Sequence, residues 1–247
     1  EVIKPFIFLD RFETAAGGPP LGFGMHPHSG IATLTYLMSG QTAYEDTTGE
    51  HGAKGVLPNG GVEWMMAGGG VWHTGAPENT ERVLGFQLWV AMPPELELAT
   101  AYSRYLGPQD VPQSGPARVL LGSFEGKTNP IPAPSNITYL GVHLEAGETW
   151  HFEPPADHTV AWAAVGEGTL SAPQVLRTGD MVVFDRSATG ITFTAASDVA
   201  FVLGSGALHP HPLHLGHYSV HTSDEALHAG QKGIRDRAHV LREQGRL

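Results

Sequence analysis

The chain has 247 residues, with 14 Lys and Arg against 25 Asp and Glu, a formal net charge of −11, a pI near 5.6 and no cysteine. So acidic a balance lacks the basic footprint that grips nucleic-acid phosphates. With thiols absent, disulfides and Cys-bound zinc are excluded, and any metal must use His, Asp or Glu. Gly (32) and Pro (19) are abundant and charged residues make up 16 %, a mixture that favours short strands joined by tight turns. No apolar run approaches the roughly 18 residues that cross a bilayer. The stretch "EVIKPFIFLDRF" lacks a signal-peptide layout, so a cytoplasmic protein without membrane or nucleic-acid partners is expected.

In chain order, alternating segments predict strands over 31–38, 62–66, 82–90, 137–146, 159–165, 181–185, 191–195 and 199–204, each bounded by Gly, Pro, Asn or Asp. The order strand, Gly turn, strand, Gly turn, strand occurs once around "TYLMSGQTA" and again around "AAVGEGTLS", which reads as two fused copies of one β unit. The stretch 106–117 reads as a linker and 125–136 as a loop entering the second unit. Helix signals are few. Residues 94–106 carry one; "TSDEALHAG" carries another, opening with Thr222 and with Glu225 three places on; "GIRDRAHVLREQG" carries the last, ending at Gly245. The expected division is 1–113 for the first barrel, 114–229 for the second and 230–247 for a C-terminal helix.

Fourteen histidines raise the question of a metal. In a strand, residues i and i+2 share a face, so His26 and His28 of "FGMHPHSG" can converge on one ion. Pro27 between them lacks an N–H and places the pair on an edge or a bulge. His73, after a Gly-rich turn, completes a three-His facial set with open positions. The second "HPHP", with His209, His211, His214 and His217, lies in a stretch where nothing preorganises a site, and it reads as a surface loop.

"GFGMHPHSGIATLTYLMSGQTAYEDTTGEHG", "GGVEWMMAGGGVWHTGAP" and "LGFQLWVAMP" resemble the pirin family, a branch of the cupins. The similarity continues through "ITYLGVHLEAGETWHF" and "HPLHLGHYSVHTSDEALHAGQKGI". It implies an all-β fold of two antiparallel cupin (jelly-roll) barrels stacked face to face, with short C-terminal helices. It also implies one mononuclear metal in the first barrel, on His26, His28 and His73; in the second copy of the repeat the places of His26 and His28 are taken by Pro154 and Ala156, so no metal is expected there. The implied ion is Fe(II), with Ni, Zn or Mn as alternatives. The implied activity is that of a quercetin 2,3-dioxygenase, acting on a flavonol-like aromatic and O2.

Two family carboxylates are missing: Gly75 stands where the pattern has a Glu ligand, and Ala32 where it has a Glu shortly after HPH. Their absence leaves the full charge of the ion and removes a general base. Glu63 and Glu78 are the nearby candidates for replacement, and a three-His centre completed by water is the expected state. Two other functions suit such a site: a metal- or redox-responsive regulator working through protein partners, and a degenerate cupin without metal. Of Tyr36, Trp64, Met65, Phe86 and Trp89, one or two are expected to face the metal mouth.

Overall fold

A computed structural model describes residues 2–17, 22–49, 52–78 and 81–247. By contacts the chain forms two units, Phe6–Pro108 with Pro210–Leu247, and Val2–Pro5 with Gln109–His209. Residues 210–229, expected in the second barrel, belong instead to the first unit.

The first unit is built from β1 (Phe6–Thr14), β2 (Phe23–His28), β3 (Ile31–Ser39), β4 (Gln41–Asp46), β5 (Ala53–Pro58), β6 (Val62–Met66), β7 (Val71–Pro77), β8 (Val83–Ala91) and β9 (Tyr102–Leu106). They form two antiparallel sheets, β1-β8-β3-β6-β9 and β2-β7-β4-β5. The interior face follows from the strand period of two. On β3 it carries Ile31, Thr33 and Thr35, opposite Met65 and Glu63 of β6 and Trp89 and Gln87 of β8. Ala32, Leu34 and Tyr36 take the other face, which is also buried. β3 is therefore buried at almost every position, its polar members being Thr33, Thr35 and Ser39, whereas β4 is at least partly exposed along most of its length and mixed.

The second unit pairs a six-stranded sheet centred on Ile137–Leu144, Val199–Gly206 and Val160–Glu167 with a four-stranded one that includes Thr149–Phe152 and Ile191–Ala195. Its interior is filled by Phe152, Phe193 and Phe201 with Trp150 packed against them, the Phe193 and Phe201 rings 5.2 Å apart. The stretch read as a linker contains a short hairpin, Gln113–Ser114 with Ala117–Leu121. His158, buried here, is held by Ser205 and Asn136 at 3.0 Å each.

The helix expectations needed correcting. Residues 94–99 form turns, and Tyr102–Leu106 is strand β9, because Met66, Trp64 and Val62 of β6 supply it with ladder partners. Beyond Ser223, a single helix α1 (Asp224–Glu243) replaces the two short helices. Its N-cap is Ser223 rather than Thr222, whose N–H and hydroxyl are both taken by Glu97. The glycines of "GQKG", inside the helix, serve close packing. A Cβ on Gly233 would collide with the Gly69 carbonyl, so the helix lies directly on the β6–β7 turn. The helix does end in a left-handed Gly245, as expected.

Gly30, at φ +74, joins β2 to β3 where the backbone touches Val220. Only glycine fits this conformation and this approach.

Candidate metal centre and its cavity

His26 and His28 project from one face of β2, and His26 pairs directly with His73 of β7. Ring centroids lie 5.1 Å (His26–His28), 4.3 Å (His26–His73) and 5.0 Å (His28–His73) apart. One nitrogen from each ring falls within 4.8 Å of the others, a separation that suits three ligands of a single ion. β2 is an edge strand with a register shift between Phe23 and His26, which accommodates Pro27 without breaking a ladder.

The tautomers are set by the surroundings. His26 donates Nδ1–H to the Gly24 carbonyl at 2.7 Å, and His28 donates Nδ1–H to the Tyr218 carbonyl at 3.2 Å. Both Nε2 lone pairs are therefore free, the arrangement that outer hydrogen bonds impose on metal-binding imidazoles. Nε2 of His28 and of His73 are buried without a hydrogen-bond partner. Burying such an atom costs about 1–3 kcal/mol, which a bound cation would offset. Burial pushes all three pKa values down, with His28 near 3 and His73 well below the usual value, the neighbouring imidazoles adding to the shift in both. The rings are neutral at pH 7 and need lose no proton to bind a metal.

Two features here escaped the sequence reading. The segment Pro210–His221, read as a loop before the helices, folds onto this centre. Tyr218 holds His28 through its carbonyl, and its ring lies 5.7–5.8 Å from His28 and His26. It adopts φ 55 to do so, a left-handed conformation of the kind found at functional positions. Of the second His-rich stretch, His209 is buried in the other unit, His217 packs on Tyr218 and His214 pairs with Asp224 at 2.7 Å. The second feature is a buried polar chain: Ser29 to Ser219 (2.9 Å), Ser29 to His221 Nε2 (3.0 Å), and His221 Nδ1 to Glu97 (3.1 Å). It has the composition of a nucleophilic triad. With Ser29 fully buried and its hydroxyl proton given to Ser219, the chain acts as a strut between β2, the 93–99 turn and the C-terminal segment.

A cavity opens beside the imidazoles, lined by His26, His73, Gly75, Thr35, Glu63 and Asp10 among others. Its volume is about 690 Å³, open mouth included. Phe12, Phe23 and Tyr44 form its apolar wall. Trp89 is the expected aromatic at the site, its ring 4.8 Å from His28; Trp64 and Phe86 take the other face of the sheet.

The two missing carboxylates have different consequences. Gly75 shares a face with His73 and lines the cavity, so its lack of a side chain leaves a real gap. Ala32 lies on the opposite face of β3 from Thr33 and Thr35, so the loss at 32 does not touch the imidazoles, contrary to the expectation for that position. Neither candidate replacement joins the cluster: Glu78 is exposed, and Glu63 faces the cavity but stands outside the three-His set. A Cβ at Gly75 would meet only the Ala43 carbonyl at 3.8 Å, with no left-handed φ to strain it. Gly75→Glu should therefore fold and tighten divalent-metal binding by about tenfold or more, since an added unit charge at ligand distance is worth several kcal/mol even when heavily screened. Competition titration against a chromogenic chelator measures this, and unchanged affinity would mean that a side chain at 75 turns away.

The Pirin family profile matches residues 1–90. A pirin-like protein of Caulobacter vibrioides is 30% identical over 224 residues, covering 85% of this chain and 76% of that protein. A Pseudomonas aeruginosa relative with a provisional quercetin 2,3-dioxygenase name is 36% identical over 183 residues, covering 69% of this chain and 63% of its own length. The chain thus spans somewhat less than two thirds of that relative. Among solved structures, a quercetin 2,3-dioxygenase from Acinetobacter baumannii superposes with a TM-score of 0.81 at 21% identity, covering 94% of this chain and 86% of its own. The Escherichia coli pirin YhhW, solved with nickel(II), gives 0.66 at 21%, covering 84% of each chain. Among the described residues no helix is long and apolar enough to cross a membrane. A mostly β chain in two units, with this likeness in fold and in sequence, is a bicupin, and it belongs to the pirin family.

Proposed function

We propose that the chain binds one divalent transition metal through His26, His28 and His73 and acts on a small, flat aromatic with O2, in the manner of a quercetin 2,3-dioxygenase. The observation that carries this is the pair of buried, unpartnered Nε2 atoms on His28 and His73, converging with His26 beside a cavity that His26 and His73 line. A bound metal would supply Lewis acidity and open positions for ligands. The protein's own part is to hold three neutral imidazoles through the Gly24 and Tyr218 carbonyls and to clamp a planar ligand between Phe12, Phe23 and Tyr44. Fe(II) is the proposed resident ion, and nickel, the ion of the related YhhW structure, is the alternative.

A second reading, a metal-responsive regulator with a protein partner, is favoured by Gly75, which removes the carboxylate beside His73. Metal analysis by mass spectrometry on untagged wild type, His28→Ala and His211→Ala tests the shared premise. Near-stoichiometric metal lost only in His28→Ala is expected, and metal lost only in His211→Ala would move the site. If the metal is confirmed, oxygen uptake with quercetin separates the enzyme from the regulator.

A further inference from the structure

Across the five-stranded sheet, ladder pairing aligns Asp10, Gln87, Thr35, Glu63 and Tyr105 in one row on the interior face. Such a row could have been a band of β-branched apolar residues; here each position is polar. Four of its members, Asp10, Gln87, Thr35 and Glu63, line the same cavity as His26 and His73. The hydrogen bonds run in one direction. Trp89 Nε1–H donates to Gln87 (3.1 Å), Gln87 Nε2–H to Thr35 (3.5 Å), and the Thr35 hydroxyl to Glu63. Trp89 is also the ring against His28, so a continuous donor chain leads from the wall of the histidine cluster to one carboxylate. The other groups near Glu63 are Asp46 and Tyr105, whose hydroxyl is committed to Asp46 at 2.6 Å, and Tyr44, stacked on Tyr105 at 3.7 Å.

We propose that Glu63 is the proton acceptor of this cavity, serving a neutral phenol- or catechol-type ligand without binding the metal. The proposal rests on the metal reading above for the ligand's position, and it assigns to the opposite sheet the carboxylate function that Gly75 lacks. On binding, the ligand's O–H bond breaks, its electron pair stays on the ligand oxygen, and the proton bonds to the Glu63 carboxylate; no oxidant is required. Three further observations support the assignment. Burial and the nearby Asp46 push Glu63 up to about 7, where a general base exchanges protons most readily at neutral pH. Among the described residues the lining includes no Lys or Arg, while Asp10 and Glu63 are acidic, so anionic carboxylate or phosphate ligands are disfavoured. The aromatic lining, Phe12, Phe23 and Tyr44, suits a planar ring.

The test uses catechol at pH 8, where the free ligand is neutral, Glu63 is ionised and the ultraviolet spectrum reports ionisation of the ring hydroxyl, on zinc-loaded and chelator-treated full-length protein. Calorimetry in two buffers of different ionisation enthalpy counts the protons released. Wild type should bind the ionised probe and release almost no proton to buffer. Glu63→Gln should keep its zinc, bind about tenfold more weakly and release about one proton per ionised ligand. Glu78→Gln, at an exposed rim position, controls for a general charge effect and should match wild type. Equal proton counts in wild type and Glu63→Gln, or loss of zinc in Glu63→Gln, would overturn the proposal; so would failure of the probe to bind either form of wild type. Wild type that holds no zinc refutes the metal reading alone, and the proton count on metal-free protein then decides for or against Glu63.

Discussion

Glu97→Ala is expected to lower the unfolding free energy by about 3–5 kcal/mol, which for a chain of this size is a fall in Tm of roughly 6–20 °C. The carboxylate is buried and accepts three hydrogen bonds: the Thr222 N–H (2.6 Å), the Thr222 hydroxyl (2.7 Å) and His221 Nδ1 (3.1 Å). Removing it leaves three donors in a site without solvent, each costing about 1–3 kcal/mol before any water enters. The effect extends to the histidine centre. His221 is three residues from Tyr218, whose carbonyl fixes the His28 tautomer, so freeing the segment frees the His28 ring. Thermal unfolding by circular dichroism, run with and without added zinc, should show both a lower Tm and a smaller stabilisation by metal. A fall of less than about 1 kcal/mol would mean that the strut is solvated in solution. Glu97→Gln, which keeps the shape and loses the charge, should fall between wild type and Glu97→Ala.

Glu63→Gln is expected to flatten the stability profile between pH 4.5 and about 7. The folded chain holds Glu63 near 7 against an ordinary 4.5. Between those values the folded state binds more protons than the unfolded state, so wild-type stability falls as pH rises through that window and levels off above it. The displacement corresponds to about 3 kcal/mol. A neutral amide escapes it, so the variant should gain on wild type by most of that amount at pH 8 and by little at pH 4.5. Asp10, also raised by burial, adds a slope of the same sign in both proteins. The three histidines act oppositely: their depressed values make stability fall as pH drops below 6.5, with His28 continuing toward 3. Only the difference between variant and wild type therefore isolates Glu63. Guanidinium unfolding at the two pH values, with chelator present, measures it. A difference that does not grow with pH would show that Glu63 is solvated rather than buried.

Much of the site was legible because strand geometry ties sequence spacing to direction. His26 and His28, two apart, had to share a face whatever the rest of the chain did, and the strands at 62–66 and 191–195 appear with the expected bounds. The pairing of His26 with His73 was harder to read, since it depends on the register of two distant strands; there the family resemblance supplied what local pattern could not. The same ambiguity affected Glu63. Alternation says only that it lies on the opposite face from Val62 and Trp64, and which face meets the cavity is set by the neighbouring ladders. Position 32 was misjudged for this reason: residue type and distance from HPH suggest a partner of the metal, while pairing with Met66 and Val90 turns it away. That the two helix signals belong to one helix was not legible either: glycine is a poor helix former, and its value at 233 lies in an approach to Gly69 that no local pattern records.

By itself the sequence determined the β class, the two-unit repeat, the acidic balance and the three imidazoles with no thiol to compete, because composition and the period of two act within a few residues. Only the tertiary structure decided that the C-terminal His-rich segment folds onto the first unit and that Tyr218 orients His28. It also decided that Ser29, His221 and Glu97 form a strut, and that Glu63 faces the imidazole cavity. Each of these depends on a contact between residues far apart in the chain, and the burial that makes such a contact count exists only once the strands have chosen their partners.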